Sequence, residues 1–469
     1  MGMSSLRKLY APEFLVKDSL KCGEIPSTKE VYGRAVSIAG PSVAEFFLIS
    51  LIMMADTVMV SSVGPQAIAA VGITIQPRFI VQAMILALNV GVTSLTARRF
   101  GEQDHQGTVS CLKQSLLLSA VLSCILSGAA FACSRPLLRL AGAGTDTLDL
   151  AVGYFRILMI GLPANCVSLT ISAALRGIGH TRVPMVINMT ANVVNVCFNY
   201  LLIGGRLGFP ALGVDGAAIA TAIGWTVGLI LAMVSVVHPS QYFFLLERGG
   251  WALERRTLNA LYRVSSGAFL EQISMRIGFF IYNRMVAGLG TMQYAAHLIC
   301  INISSLSFAV GEGMSLAAAA FVGQNLGARR PDLSVVYGKA CQRIAVVYGV
   351  FLMLLLSTVG RFLVLPFSRD PEIIAYCKPL LIMMGVLVLG QASQMIFMGS
   401  LRGAGDTMYT AVVCTVSILL VRPVVAYFLI YHLNLGLVGA WSSFLLDQYM
   451  RLLFTYLRFT SGKWISIKL

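Results

Sequence analysis

The sequence predicts an all-α integral membrane protein with twelve transmembrane helices in two six-helix lobes, and three observations carry that prediction. Of its 469 residues, 57% are apolar and only 12% charged, with a mean hydropathy of +0.79, about half the charge of a soluble domain. The apolar residues gather into runs of about twenty or more, the length that crosses a bilayer as a helix, separated by short loops that begin or end in Arg, Gly or Pro. The second half of the chain repeats the landmarks of the first at a fixed offset.

The twelve runs are 33–61, 69–97, 110–133, 149–174, 184–205, 214–237, 262–288, 294–321, 336–360, 373–400, 408–431 and 436–457. They divide the chain into an amino-terminal arm (1–32), an N-lobe (33–237), a linker (238–261), a C-lobe (262–460) and a carboxy-terminal tail (461–469). The arm is basic but lacks the apolar segment of a signal peptide and reads as polar and cytoplasmic. In the linker, Trp251, Leu253, Leu258, Leu261 and Tyr262 alternate with Glu and Arg, which suits a helix lying on the membrane surface.

Gly64 and Gly290, Gly101 and Gly327, Arg176 and Arg402, and Glu45 and Glu271 each lie 226 residues apart. Near the end the register slips, and LGVDGAA at 212–218 meets LGLVGAW at 435–441. Two homologous halves account for this. With six helices each, both enter and leave on the same side, related by a pseudo-twofold axis along the membrane normal. That is the parallel-repeat design of a transporter, with a site expected between or within the halves and alternating access by rocking.

The net charge of +15 is topological and gives no reason to invoke nucleic acid. Arg98, Arg99, Arg176, Arg182, Arg255, Arg256, Arg329, Arg330, Arg402 and Arg458 fall in loops that share one side with both termini. The opposite loops hold Arg135, Arg139, Arg206, Arg361 and Arg369. The positive-inside rule then makes both termini cytoplasmic, and the chain is expected to be a multi-pass protein of the plasma membrane. The arginines of RGIGHTR and RGAGDT read as interfacial anchors of their helix ends. Cysteines inside apolar runs, such as Cys111, Cys124, Cys166, Cys197, Cys300 and Cys414, form no CxxC or Cys/His cluster and read as small membrane-core residues. No metal site is expected beyond a possible Na⁺.

Two carboxylates in the first run, Glu45 and Asp56, are eleven residues apart, hence about 20° out of register on one helix face and about 16 Å apart in depth. An uncompensated acid at bilayer depth costs several kcal/mol and by default marks a substrate or ion pathway, or a charge pair with an Arg from another helix. The fifth run places Asn188, Asn192, Asn195 and Asn199 at spacings of four, three and four. This polar stripe either hydrogen-bonds neighbouring helices or lines a site of oxygen ligands facing Asp56, the donor set hard cations such as Na⁺ prefer; the second reading is preferred. In the second half, Glu271 and Glu312 are further cavity candidates together with Tyr282. Glu312 is either neutralised by an Arg from a neighbouring helix or a proton carrier. Asp447 and Arg451 stand at i, i+4, with Arg422 opposite in the eleventh run, and read as a structural ion-pair cluster. No nucleophile–base pair, phosphate loop or metal cluster marks an enzyme.

ADTVMVSSVGPQAIAAVG, LNVGVTSLTARRFGEQD, LRGIGHTRVPMVINMTANVVNVCFNYLLIGGRLGFPALGVDGAAIATAI and SLRGAGDT resemble the MATE (multidrug and toxic compound extrusion) transporters, over about residues 30 to 460 and in both halves. The resemblance implies a secondary antiporter that expels amphipathic, often cationic compounds in exchange for Na⁺ or H⁺; no other cofactor is expected, and the chain is expected to act as a monomer. Its amino-terminal ion site falls on Asp56, Asn195, Asn199 and Thr221. Some members have a second Asp where this chain has Asn199, and NorM-type members carry an acid in the tenth helix, where 379–400 has none; Glu271 is the only acid in the seventh run. The rival readings are a lipid-linked oligosaccharide or polysaccharide flippase of the same superfamily, for which the cavity looks too acidic, and a passive channel.

Overall fold

The computed structural model of the chain describes residues 10–61, 63–238, 242–247, 249–368, 370–467 and 469; of the basic residues named above, Arg369 lies outside this set. Twelve long helices follow one another: α1 (Thr28–Ser61), α2 (Pro65–Gly101), α3 (His105–Ala132), α4 (Leu148–Gly177), α5 (Arg182–Gly204), α6 (Gly213–Val237), α7 (Arg255–Ala287), α8 (Thr291–Gly327), α9 (Pro331–Val364), α10 (Pro371–Gly403), α11 (Thr407–His432) and α12 (Gly436–Ser461). A seven-residue helix, Ser134–Leu140, joins α3 to α4, and no strand occurs among the described residues. Most helices run several residues past the apolar runs, because hydropathy marks only the part that spans hydrocarbon while the helix continues into the polar interface.

The backbone repeats as the sequence does. Gly64 and Gly290 take φ of 135° and 119°, Gly179 and Gly405 85° and 87°, and the non-glycine pair Gln103 and Arg329 59° and 56°. All three pairs keep the 226-residue offset, so the same left-handed turns close the corresponding helix ends in each half. Beyond the register slip, Gly213 and Gly436 match at 54° and 52°.

Ten of these helices are apolar enough to cross a membrane by hydropathy alone; α7 and α12 are not. Their shortfall comes from the charges they carry, Glu271, Arg276 and Arg284 on α7 and Asp447 and Arg451 on α12. α11 is not uniformly α-helical either: π-helical turns at Val416–Val421 and Phe428–His432 flank Arg422–Tyr427. Pro423 lacks the N–H that the ladder needs, and wider turns accommodate the gap.

The helices form two compact units. One takes the chain up to Phe46, Phe100–Gln103 and Ser266–Leu469; the other takes Phe47–Arg99 and Asp104–Ser265. In the first unit α10 is the central helix, packed on α8, α9 and α12. Glycines bring these backbones close: a Cβ on Gly399 or Gly403 would strike the backbone of Ser315 or Ala319 on α8, and one on Gly313 would lie 2.6 Å from Val43 N on α1. In the second unit α4 packs on α3 and α6, and α6 on α5.

Two expectations about the connecting segments need correction. The arm is not a free polar extension: Leu15 and Val16 are buried in the core of the first unit, Lys339 Nζ donates to Leu15 O (2.7 Å) and Arg330 Nη2 to Glu24 O (2.8 Å). The segment before α7 is not a surface helix. Among the described residues 242–254 are turns and extended chain, and the helix begins at Arg255. Gly249 and Gly250 (φ 87° and 78°) turn the backbone there, and the buried Lys113 of α3 donates to Glu247 O (2.6 Å) and Gly249 O (2.8 Å). A lysine inside the unit thus clasps the strap, and the helix period in its apolar residues is overridden.

Candidate functional site

The site in the second unit begins with how closely α5 and α6 approach. A Cβ on Gly224 of α6 would lie 2.8 Å from Ala191 O and 3.1 Å from Asn195 Cβ, and one on Gly216 2.6 Å from Leu202 O. That contact sets Thr221 against Asn195. On α5, the i, i+4 spacing places Asn195 and Asn199 on the same face, both buried.

α1 brings Asp56 to this face. Asn199 Nδ2 donates to Asp56 Oδ1 at 2.8 Å. The Asn195 amide is satisfied at both ends when its nitrogen faces Asp56, 3.2 Å from each carboxylate oxygen, and its oxygen accepts from the Thr221 backbone N–H at 3.1 Å. Thr221 Oγ1 in turn donates to Ala217 O at 2.9 Å. No lysine or arginine pairs with Asp56 among the described residues, and the oxygen of Asn199, Oδ1, is buried without a hydrogen-bond partner. A carboxylate, two amide groups and a hydroxyl therefore converge with one negative charge left over. An orphaned acceptor beside that carboxylate is the donor chemistry that a hard monovalent cation satisfies, and a proton on Asp56 is the alternative neutraliser.

In the other half of the amide stripe, Asn192 is not hydrogen-bonded to Asp56 among the described residues. Asn192 Nδ2 turns back to Asn188 O on its own helix, 2.8 Å away. A residue the sequence did not flag is Tyr154 on α4, buried and within electrostatic range of both Asp56 and Arg78. A tyrosine in an apolar run carries no signal of its own.

The acids of the first unit are arranged differently. Glu45 is buried in the part of α1 that belongs to this unit. Glu271 on α7 is ion-paired with Arg402 of α10 and accepts from Thr410 Oγ1 of α11 at 3.2 Å. Arg402 therefore turns into the protein instead of anchoring its helix end at the interface, because a buried carboxylate offers it more than lipid headgroups do. Glu312, half-buried on α8, lies within electrostatic range of the same guanidinium. Asp447 accepts from Arg422 Nε (3.1 Å), Arg451 Nη2 (2.9 Å) and Ser417 Oγ. Arg422 is also enclosed by the rings of Phe444 (4.4 Å), Phe279 (5.1 Å) and Tyr282 (5.6 Å). Tyr282, expected at a cavity, is fully buried in this packing. Cys111, Cys166, Cys300 and Cys414 are buried, whereas Cys124 and Cys197 face outward from their helices.

The MatE family profile matches the chain twice, at residues 41–201 and 268–428. The chain is 28% identical over 457 residues to a protein of Thermotoga maritima named "Probable multidrug resistance protein NorM", covering 96% of each. A Pseudomonas putida protein of the same name is 27% identical over 421 residues, covering 86% of this chain and 88% of that one. Among solved structures, an outward-facing multidrug resistance MATE family transporter of the MOP superfamily superposes with a TM-score of 0.86 at 22% identity, covering 92% of this chain and 97% of that one. A family pattern that covers more than half of the sequence, once in each homologous half, together with the twelve-helix fold, makes this chain a member of the MATE transporter family.

Proposed function

We propose that the protein is a secondary active multidrug efflux antiporter of the plasma membrane, with both termini cytoplasmic, that exports amphipathic, often cationic compounds in exchange for Na⁺ or H⁺. The observation that carries the reading is the unpaired carboxylate of Asp56 set among Asn195, Asn199 and Thr221. The cation neutralises Asp56 and is held there by the unpartnered oxygen of Asn199, with Asn195 turning its amide oxygen and Thr221 its hydroxyl oxygen toward it. Neutralisation removes the cost of a bare charge at bilayer depth and so favours one conformation of the transporter, while drug binding favours the other. A ligand shifts such an equilibrium only by its differential affinity for the two states, and a charge that exists in one occupancy and not the other supplies that difference. The names of the NorM relatives support the multidrug part of the reading.

The test is drug flux in proteoliposomes under an imposed Na⁺ gradient or an imposed pH gradient. Flux driven by either is expected for the unaltered chain and is lost in Asp56→Asn, while the variant still inserts at normal levels. Gradient-driven flux that survives in Asp56→Asn sinks the assignment. A steady, gradient-independent current would mark the passive channel instead.

A further inference from the structure

Away from Asp56, the first unit contains a cavity of about 340 Å³ between α9, α10 and α12. That is within the range of sites for drug-sized molecules, about 300–1,000 Å³. Its walls are aromatic. The rings of Phe397 and Tyr456 meet edge-on, 5.6 Å apart at 64°. Tyr449 is fixed in place: its hydroxyl donates to Val386 O at 2.8 Å, and its ring lies so close over Gly390 that a Cβ there would come within 2.8 Å of it. The floor is polar and uncharged, with Gln342 Nε2 donating to Ser393 Oγ at 3.1 Å. Gln342 Oε1 and the Tyr456 hydroxyl have no hydrogen-bond partner among the described residues.

Leu453 and Tyr456, both part of the lining, are about half exposed, and helical spacing puts the exposed Leu446 and Leu457 of α12 on the same face as Leu453. In a membrane protein that surface faces acyl chains, so the cavity opens sideways into the bilayer. It lies toward the C-terminal ends of α10 and α12, which are at Gly403 and Ser461. An acyl chain would fill the space but leave the acceptors on the floor unmatched at a cost in hydrocarbon. Flat aromatic walls with free acceptors match a flat aromatic guest that donates hydrogen bonds.

We propose that this cavity is a peripheral binding site for planar aromatic amphiphiles bearing N–H donors, which enter it directly from the lipid. The proposal rests on the multidrug reading and adds a place where such compounds are held before transport. The aromatic wall packs on the guest, Gln342 Oε1 and the Tyr456 hydroxyl receive its N–H donors, and Leu452 and Leu453 pack against its edge.

The probe is ethidium monoazide, a planar cation with an aromatic amine and a photoreactive group, applied to the full-length chain in phospholipid nanodiscs and followed by peptide mapping. Labelling is expected on the α12 segment around Tyr449–Tyr456 or on Ser393–Phe397 of α10. It should fall at least threefold in Tyr456→Ala and in Gln342→Leu, and be competed by unmodified ethidium. Label found only elsewhere, or unchanged in both variants, overturns the proposal. So does a phospholipid that mass spectrometry finds in the cavity and that ethidium does not displace. Proteoliposome flux separates this result from the wider reading: pocket labelling on a chain that moves no drug removes the transport function and leaves the site, whereas gradient-driven flux without pocket labelling removes the site alone.

Discussion

Asn199 is the residue on which the chemistry of the proposed coupling site turns. Its amide donates to Asp56 and leaves a buried oxygen without a partner, so replacing it by Ala removes a charge-assisted hydrogen bond and the oxygen proposed as a cation ligand together. Such bonds contribute about 1.5–3 kcal/mol, so a loss of roughly tenfold or more in apparent cation affinity is expected in Asn199→Ala vesicles, read from the Na⁺ dependence of drug flux. Asn199→Asp should act differently. Two carboxylates at this distance cannot both stay ionised, so one takes up a proton, and the flux of that variant is expected to follow the pH gradient more steeply than the Na⁺ gradient. Asp56 was legible in the sequence because an acid in an apolar run is rare enough to need a reason. Tyr154 and Thr410 were not, since hydroxyls in such runs are ordinary and only contact shows what they touch. Asn188 and Asn192 share their helix face with Asn195 and Asn199, and periodicity alone could not show that Asn192 bonds to its own backbone.

Between helices, the strongest constraints are pairs that no single helix declares. Glu271 and Arg402 meet across α7 and α10, and breaking a buried pair from one side leaves an uncompensated charge at a cost of about 3–5 kcal/mol. Glu271→Gln and Arg402→Leu are each expected to lower the thermal unfolding temperature of the detergent-solubilised protein markedly, and Glu271→Leu combined with Arg402→Leu to recover much of the loss. Equal and additive losses in the double variant would show that the two side chains act independently. The strap before α7 makes a second prediction. Lys113 holds it by donating to two carbonyls, so Lys113→Met should free it and make protease cut between Leu245 and Leu253 several-fold faster, with the helices beyond left intact. The arginines of the RGxG loops illustrate why such pairs were hard to read: at a helix end beside glycines, an Arg looks like an interfacial anchor, and its partner was 131 residues away. The repeat, by contrast, was fully readable, and the paired φ values at Gly64 and Gly290 or Gln103 and Arg329 are its backbone counterpart.

For the whole molecule, hydropathy and length were enough to give twelve helices, though α7 and α12 fall short of the criterion when taken alone. Their deficit has a bearing on how the chain is made. α12 leaves the ribosome after α11, and it holds the carboxylate that Arg422 of α11 is paired with. Until it arrives, α11 sits in the translocon or the bilayer with a bare guanidinium, and α12 itself is too charged to partition unaided. α11 and α12 are therefore expected to enter lipid as a joined hairpin, each neutralising the other. A chain stopped at His432 should be held back by the insertion machinery and degraded, and glycosylation-site or protease-protection mapping of the stalled product would show α11 outside its final position. Asp447→Asn in the complete chain should reproduce part of that defect, with a lower yield of inserted protein and normal synthesis.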